Sequence, residues 1–396
     1  MVQHHDTPFG TGVQRFSEPR ARILRLDFLL LIATLGLIAF SIVTLNASTS
    51  DIGPAPHYFA SRQGIYAIVG LILMIVLASI DYSRFRELKT GAYLGMMGLI
   101  VLVLAVGGVT RGSRRWIELP LLRFQPSELG KVLLVLALSA FVLDRIRYMN
   151  DRQTTSRIML LALAPTLLVI AQPDIGTGII YVNIALALLF VAGTKWTHFA
   201  TLAGLAVGAA TLVLVVAPLA GQPVLKGYQK DRLTAFLHKN DADPRSQGYQ
   251  LNQAQTAIGS GRKTGRGAAR ATQTRLGFLP ESHTDFVFAV VGERYGFVGA
   301  GIVLSLYALL IWRALRILTI AKNLYGALLA AGIGAMLMTQ VFVNVGGNVG
   351  IMPITGIPLP LMSYGGSSVI VTLLALGILQ SVYVQAREVA AAKVET

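Results

Sequence analysis

FLLLIATLGLIAFSIVTLN, residues Phe28 to Asn46, is an uncharged, mostly apolar run. At about 1.5 Å of rise per residue such a helix covers ~28 Å, the thickness of a bilayer's hydrocarbon core. The preceding stretch, Met1 to Asp27, is polar and basic and lacks the form of a cleavable signal, so the N-terminus is expected to stay attached. Similar runs follow at 63–80, 91–109, 128–144, 158–172, 175–193, 199–219, 286–312, 325–345 and 364–385, which makes ten spans. Across 396 residues, 54% are hydrophobic and 13% charged, far more apolar surface than one soluble core can hide. The expected fold is an all-α polytopic membrane protein with about ten transmembrane helices. It divides into a tail at 1–27, a membrane domain at 28–385 that includes a large loop at 221–285, and a tail at 386–396. The eighth run looks long, and Glu293 and Arg294 fall inside it.

The absence of cysteine excludes disulfides, thiolate metal sites and a Cys nucleophile, and the six histidines form no HExxH pair. A net charge of +15 would suggest nucleic acid in a soluble protein. Here the basic residues flank apolar segments, so anionic lipid headgroups or a phosphorylated lipid fit better than nucleic acid. With the N-terminus inside, Lys and Arg divide 17 to 17 between the two sides. Ten of the outer ones lie in the 221–285 loop, and loops of that length do not orient a membrane protein. The remaining count, 17 against 7, places both termini of this multi-pass protein in the cytoplasm. The outer loop is then unusually basic, and its plainer reading is a solvated surface.

Directly before the eighth run stands LPESHTDF, Leu279 to Phe286, which sets Glu281, His283 and Asp285 against an apolar segment. Ionisable groups at a bilayer's edge are costly to keep there, so proton chemistry at the membrane surface is one reading, centred on Asp285. The other is helix capping, for which Asp is well suited. The residues alone leave base and cap level.

GSRRW (Gly112 to Trp116) reads as a basic turn, and QPSELGK (Gln125 to Lys131) as a helix start with Pro126 and Ser127 at its head. Glu128 and Lys131 share one face, either as an ordinary surface ion pair or as a Lys held near a phosphate and oriented by Glu128. In QPDIGTG (Gln172 to Gly178), Pro173 suits a turn and Asp174 a helix cap. GSGRKTGRG (Gly259 to Gly267) lacks the Gly before Lys that a phosphate loop requires, because Arg262 stands there. It reads as a flexible, basic outer segment. NVGIMPITGIPLPLMSYGGSS (Asn348 to Ser368) is too irregular to face lipid and reads as a rim beside a polar site or as a rigid turn.

Taken together, GSRRW, QPSELGK, QPDIGTG, GYQLNQAQTAIGSG, LGFLPESHTDFVFAVVGE and GIMPITGIPLPLMSYGGSS resemble the SEDS family of peptidoglycan polymerases, from about Asp27 to Val384. TQTRLGFLPESHTDF and the short tails are more similar to the elongation member RodA than to the division member FtsW. The resemblance implies a glycosyltransferase that polymerises lipid II beside a class B penicillin-binding protein and other membrane proteins of the elongation complex. The family's HTDF aspartate falls on Asp285, and the Glu and Lys of QPSExxK fall on Glu128 and Lys131. Two positions depart from the pattern: Lys263 and Thr264 replace an apolar pair, and Arg294 replaces the second acid of GEE.

In that reading Asp285 takes the proton of the attacking hydroxyl, while Lys131, Arg114 and Arg115 stabilise the departing pyrophosphate with Glu128 beside them. Glu281, His283, Asp174 and Ser363 are expected in support. A divalent cation, magnesium or manganese, would assist the pyrophosphate, although no ligand cluster is legible. Two rivals are a flippase for the lipid-linked precursor, which needs no base at an outer helix start, and a scaffold, for which Asp285 is a cap only.

Overall fold

The computed structural model describes residues 25–48, 57–110, 113–118, 123–219, 247–279 and 281–392. Its helices are α1 (Phe28–Ser48), α2 (Tyr58–Ser79), α3 (Lys89–Val106), α4 (Pro126–Asp144), α5 (Arg152–Ala171), α6 (Ile175–Val191), α7 (Trp196–Leu219), α8 (Gln247–Ser260), α9 (Val287–Ile320), α10 (Leu324–Val349) and α11 (Gly366–Ala392). Nine of these, among the described residues, are long and apolar enough to cross a membrane. The tenth expected span is α6, which is apolar but only 17 residues long. At ~1.5 Å per residue it falls a few Å short of a ~30 Å core. The all-α polytopic architecture is therefore present.

Helix ends depart from the apolar runs in both directions. α2 begins five residues before the expected 63, because Ser61 and Arg62 continue the helical backbone where hydropathy drops. α4, α10 and α11 form the interior, whereas α7, apart from its first turns at His198 and Phe199, presents its apolar surface outward, as a helix facing acyl chains does.

A small antiparallel sheet, absent from the sequence-based expectation, joins α3 to α4: β1 (Gly108–Thr110), β2 (Ser113–Glu118) and β3 (Arg123–Phe124) in the order β1-β2-β3. The expected turn at GSRRW is thus largely strand, with Val109 opposite Arg114 and Gly108 opposite Trp116. Residues 111–112, around the start of that motif, lie outside the described residues, as do 1–24, 49–56, 119–122, 220–246, 280 and 393–396.

Two expectations about the large loop change. Residues 247–279 are not a loose surface segment. α8 buries Ala254 and Ala257 against Phe286 and against Ala289 and Val290 of α9. GSGRKTGRG is not loose either, for it fills a break in α9. At Gly296, φ 63° and ψ −159° interrupt the helix, a conformation that glycine tolerates and other residues rarely adopt. The freed amides of Phe297 and Val298 donate to the carbonyls of Arg262 (2.9 Å) and Lys263 (3.1 Å), and the amide of Arg266 donates to the carbonyl of Glu293 (2.9 Å). A Cβ on Gly265, itself at φ 86°, would sit 2.0 Å from the carbonyl oxygen of Arg294. The loop meets the helix through backbone, so the exposed Lys263 and Thr264 side chains do not weaken that contact. Glu293, fully buried, accepts from the amides of Gln273 (2.8 Å) and Thr274 (3.0 Å) and from Thr274 Oγ1 (2.6 Å). The acid inside the long eighth run therefore anchors the loop to α9.

Candidate active site

α9 begins at Val287, and Phe286 occupies its N-cap position, so Asp285 stands one residue outside the position that the capping reading gave it. The first-turn amide of Ala289 is satisfied instead by Asn348 Oδ1 at 3.2 Å. The carbonyl of Asp285 accepts from Asn344 Nδ2 (3.1 Å) and Asn348 Nδ2 (3.0 Å). These two amides, one turn apart on α10, fix the backbone that carries the carboxylate, and Asn344 also donates to the carbonyl of Ile357 at 2.8 Å. Asp285, Asn344, Asn348 and Thr355 share a cleft of about 10 Å³, room for roughly one water.

The other members of LPESHTDF shape this turn. Glu281 Oε2 accepts from Thr284 Oγ1 (2.9 Å), and its carbonyl accepts from the amides of Thr284 and Phe286 at 3.2 Å. The His283 ring packs 4.7 Å from Phe59 and 6.0 Å from Tyr364, centroid to centroid, while its carbonyl accepts from the Tyr364 amide at 2.8 Å. Burial, and then the neighbouring Tyr66 and Tyr58, push the Tyr364 phenol up to about 12, so it stays protonated at neutral pH. Ser363 Oγ donates to the carbonyl of Thr284 (2.5 Å) and accepts from the Leu359 amide (2.9 Å), pinning the irregular 351–365 segment to the Asp285 turn.

A second cluster forms where α4 begins. Pro126 occupies the first helical position, where its missing N–H costs nothing. Lys131 Nζ lies 2.7 Å from Glu128 Oε1, and the two side chains are 1% and 3% exposed. This is a buried pair and not a surface one. The Nζ–Oε1 approach is close but not aligned as a hydrogen bond, which leaves the buried ammonium's donors uncommitted among the described residues. Asp174 caps α6: its Oδ1 accepts from the Thr177 amide (3.1 Å) and its Oδ2 from Thr177 Oγ1 (2.9 Å). The same Oδ2 accepts from Gln125 Nε2 at 2.9 Å and from Ser127 Oγ at 3.3 Å, which ties the α4 start to α6.

The segment SYGGS joins the clusters. Ser363 holds the Asp285 turn, while Ser367 Oγ accepts from the Gln125 amide (3.0 Å) and donates to the carbonyl of Arg123 (2.8 Å). Four residues of chain reach at most about 14 Å, so both clusters lie at one end of the bundle. Of the two arginines expected there, Arg115 is half-buried on β2, while the side chain of Arg114 lies outside what is described. Among the described residues no group of three or more His, Asp or Glu side chains is arranged to hold a metal, so the residues described do not make a protein-ligated cation site. Sequence reading missed Gln125, Asn344 and Asn348. A usable signal was the pair of amides at i and i+4 in an otherwise apolar helix, where buried polar groups need partners.

Across residues 22–388 the chain matches the family described as cell cycle protein, FtsW/RodA/SpoVE. It is 38% identical over 361 residues to the peptidoglycan glycosyltransferase MrdB of Escherichia coli K12, covering 91% of this chain and 94% of that one. It is 37% identical over 373 residues to the probable peptidoglycan glycosyltransferase FtsW of Thioalkalivibrio sulfidiphilus, covering 91% and 90%. Among solved structures it superposes with a TM-score of 0.76 and 32% identity on a chain from a study of how a peptidoglycan synthase complex coordinates polymerization and crosslinking, covering 91% and 98%. The Thermus thermophilus rod shape determining protein RodA gives 0.64 and 29%, covering 90% and 96%. With its motifs, its helical architecture and nearly its whole length in agreement, the chain belongs to the FtsW/RodA/SpoVE family, the SEDS proteins.

Proposed function

We propose that this chain polymerises lipid II into glycan strands during cell elongation, with Asp285 as general base. The chain is a peptidoglycan glycosyltransferase of its family. The observation that carries the mechanism is the buried, incompletely engaged ammonium of Lys131, held at the same end of the bundle as Asp285 by Ser363 and Ser367. The acceptor's 4-hydroxyl oxygen attacks the anomeric carbon of the donor. Its proton passes to the Asp285 carboxylate, the bond from that carbon to the pyrophosphate oxygen breaks, and the lipid pyrophosphate departs. One displacement inverts the centre, converting an α-linked donor into a β-linked strand. Lys131, with Arg114 and Arg115 of β2, stabilises the growing negative charge, and Glu128 orients Lys131. Asp174 and Ser363 hold the two clusters in register, and Glu281 and His283 shape the turn.

The partner is a class B penicillin-binding protein that crosslinks the product, in company with other membrane proteins of the elongation complex. A structural relative that comes from a synthase complex supports this. Purified chain should polymerise lipid II, faster with its transpeptidase present, and should restore rod shape to cells depleted of their elongation polymerase. Identity of 37% to an FtsW keeps a division role as the second reading; rescue of septation instead of rod shape selects it.

Both termini are cytoplasmic and the site faces outward in the inner membrane, which the 17-to-7 distribution of short-loop charges supports. A reporter inserted after Lys239 should read as external, clear of the packed α8. A cytoplasmic signal there overturns the orientation and the site together.

A further inference from the structure

At the end of the bundle opposite Asp285, the loops after α2 and α4 come together. Arg84, Arg86 and Lys89 lie in or beside one, and Arg145, Arg147, Arg152 and Arg157 in or beside the other. Asp144 binds the first loop to the second through Arg86 (2.9 Å) and Lys89. Between α3, α4 and α5 this leaves a cavity of about 600 Å³, lined by Lys89, Arg145 and Arg157, with Asp144, Asp151, Phe141 and Tyr148 among the other walls. That volume is within the range of small-molecule sites. Asp144 is neutralised by its two cations. Arg145 and Arg157 make no ion pair among the described residues, and only Asp151 opposes them, so the cavity is net positive.

Two features of the walls identify the ligand. Arg guanidinium groups match phosphate oxygens in paired hydrogen bonds. Phe141 lies beneath Lys89 (5.7 Å from Nζ to ring centroid) and Tyr148 is 60% exposed at the helix ends, where aromatic rings meet headgroups and upper acyl chains. We propose that this cavity binds the phosphate of an anionic phospholipid from the leaflet at that end, with Arg145 and Arg157 as its ligands. An aromatic wall is of no use to a soluble phosphate but suits a headgroup that continues into glycerol ester and acyl chain. Basic pockets between membrane helices hold anionic lipids by this chemistry. The site is independent of the catalytic assignment, since none of its residues belongs to the Asp285 or Lys131 clusters.

Native mass spectrometry of the full chain, delipidated and then offered phosphatidylglycerol, cardiolipin or phosphatidylcholine, tests it. The anionic lipids should be retained at least tenfold better than the zwitterionic one. Arg145→Gln/Arg157→Gln should lose about 30-fold of that retention, while Arg84→Gln/Arg147→Gln, which alters the same number of basic residues outside the cavity walls, should not. Asp151→Asn, which removes the opposing carboxylate, should tighten binding by about fivefold. Equal loss in both arginine pairs would mean diffuse surface attraction and overturns the proposal, as does weaker binding by Asp151→Asn. Displacement of the lipid by millimolar inorganic phosphate also overturns it, in favour of a soluble phosphate ligand. Unchanged melting temperature and lipid II polymerisation in the Gln pair show that the loss is local.

Discussion

Asp285→Asn should accumulate in the membrane at the wild-type level and make almost no glycan. The substitution keeps the shape of the side chain, and the hydrogen bonds from Asn344 and Asn348 go to the main-chain carbonyl, which it does not alter. The helix start is preserved as well, because Phe286 is the N-cap residue and Asn348 serves the amide of Ala289. What changes is proton affinity. An amide cannot take the proton of the attacking hydroxyl, and loss of a general base typically costs 10²–10⁴-fold in rate. The variant should still copurify with its transpeptidase. Scaffold and flippase readings both expect a working asparagine variant, so robust polymerisation by the purified protein would remove Asp285 from the mechanism.

The second large effect is expected at Lys131, and its burial changes the experiment. Were the pair with Glu128 on the surface, losing it would matter by about 0–1 kcal/mol. It is fully buried, so Lys131→Ala strands an uncompensated carboxylate, at a cost of about 3–5 kcal/mol. That single variant should lose stability as well as activity and cannot separate the two. Lys131→Met/Glu128→Gln keeps the volume and removes both charges, a replacement that buried ion pairs commonly tolerate. The double variant should fold and accumulate near the wild-type level yet polymerise about 10²–10³-fold more slowly, the usual effect of removing a group that stabilises developing charge. Near-normal glycan synthesis by a stable double variant would make the pair structural.

The sequence determined the bundle. Runs of about 20 apolar residues have one economical fate in a bilayer, because only a helix satisfies every backbone polar group from within the segment. That argument is local, and it located nine spans and α6 along the chain, while ends such as that of α9, at Ile320 instead of 312, were not legible in it. Local reasoning also singled out Asp285, Glu128 and Lys131 as candidates, since charges next to apolar runs are conspicuous wherever the chain goes. It failed where a partner comes from far along the chain. Ser363 reaches Thr284 and Ser367 reaches Gln125 across 79 and 242 residues, and no periodicity announces either bond. The break at Gly296 and the glycine-rich loop that fills it are each ambiguous alone. Only the carbonyls of Arg262 and Lys263, arriving from another segment, turn a flexible-looking stretch into part of a helix. Whether Glu128 and Lys131 are on the surface or buried, and whether Asp285 or Phe286 occupies the N-cap position of α9, likewise depends on what packs against them. Hydropathy is a property of a segment, whereas burial and hydrogen-bond satisfaction belong to the assembled chain, and for that reason the helices could be read from the sequence while the packing around the candidate residues could not.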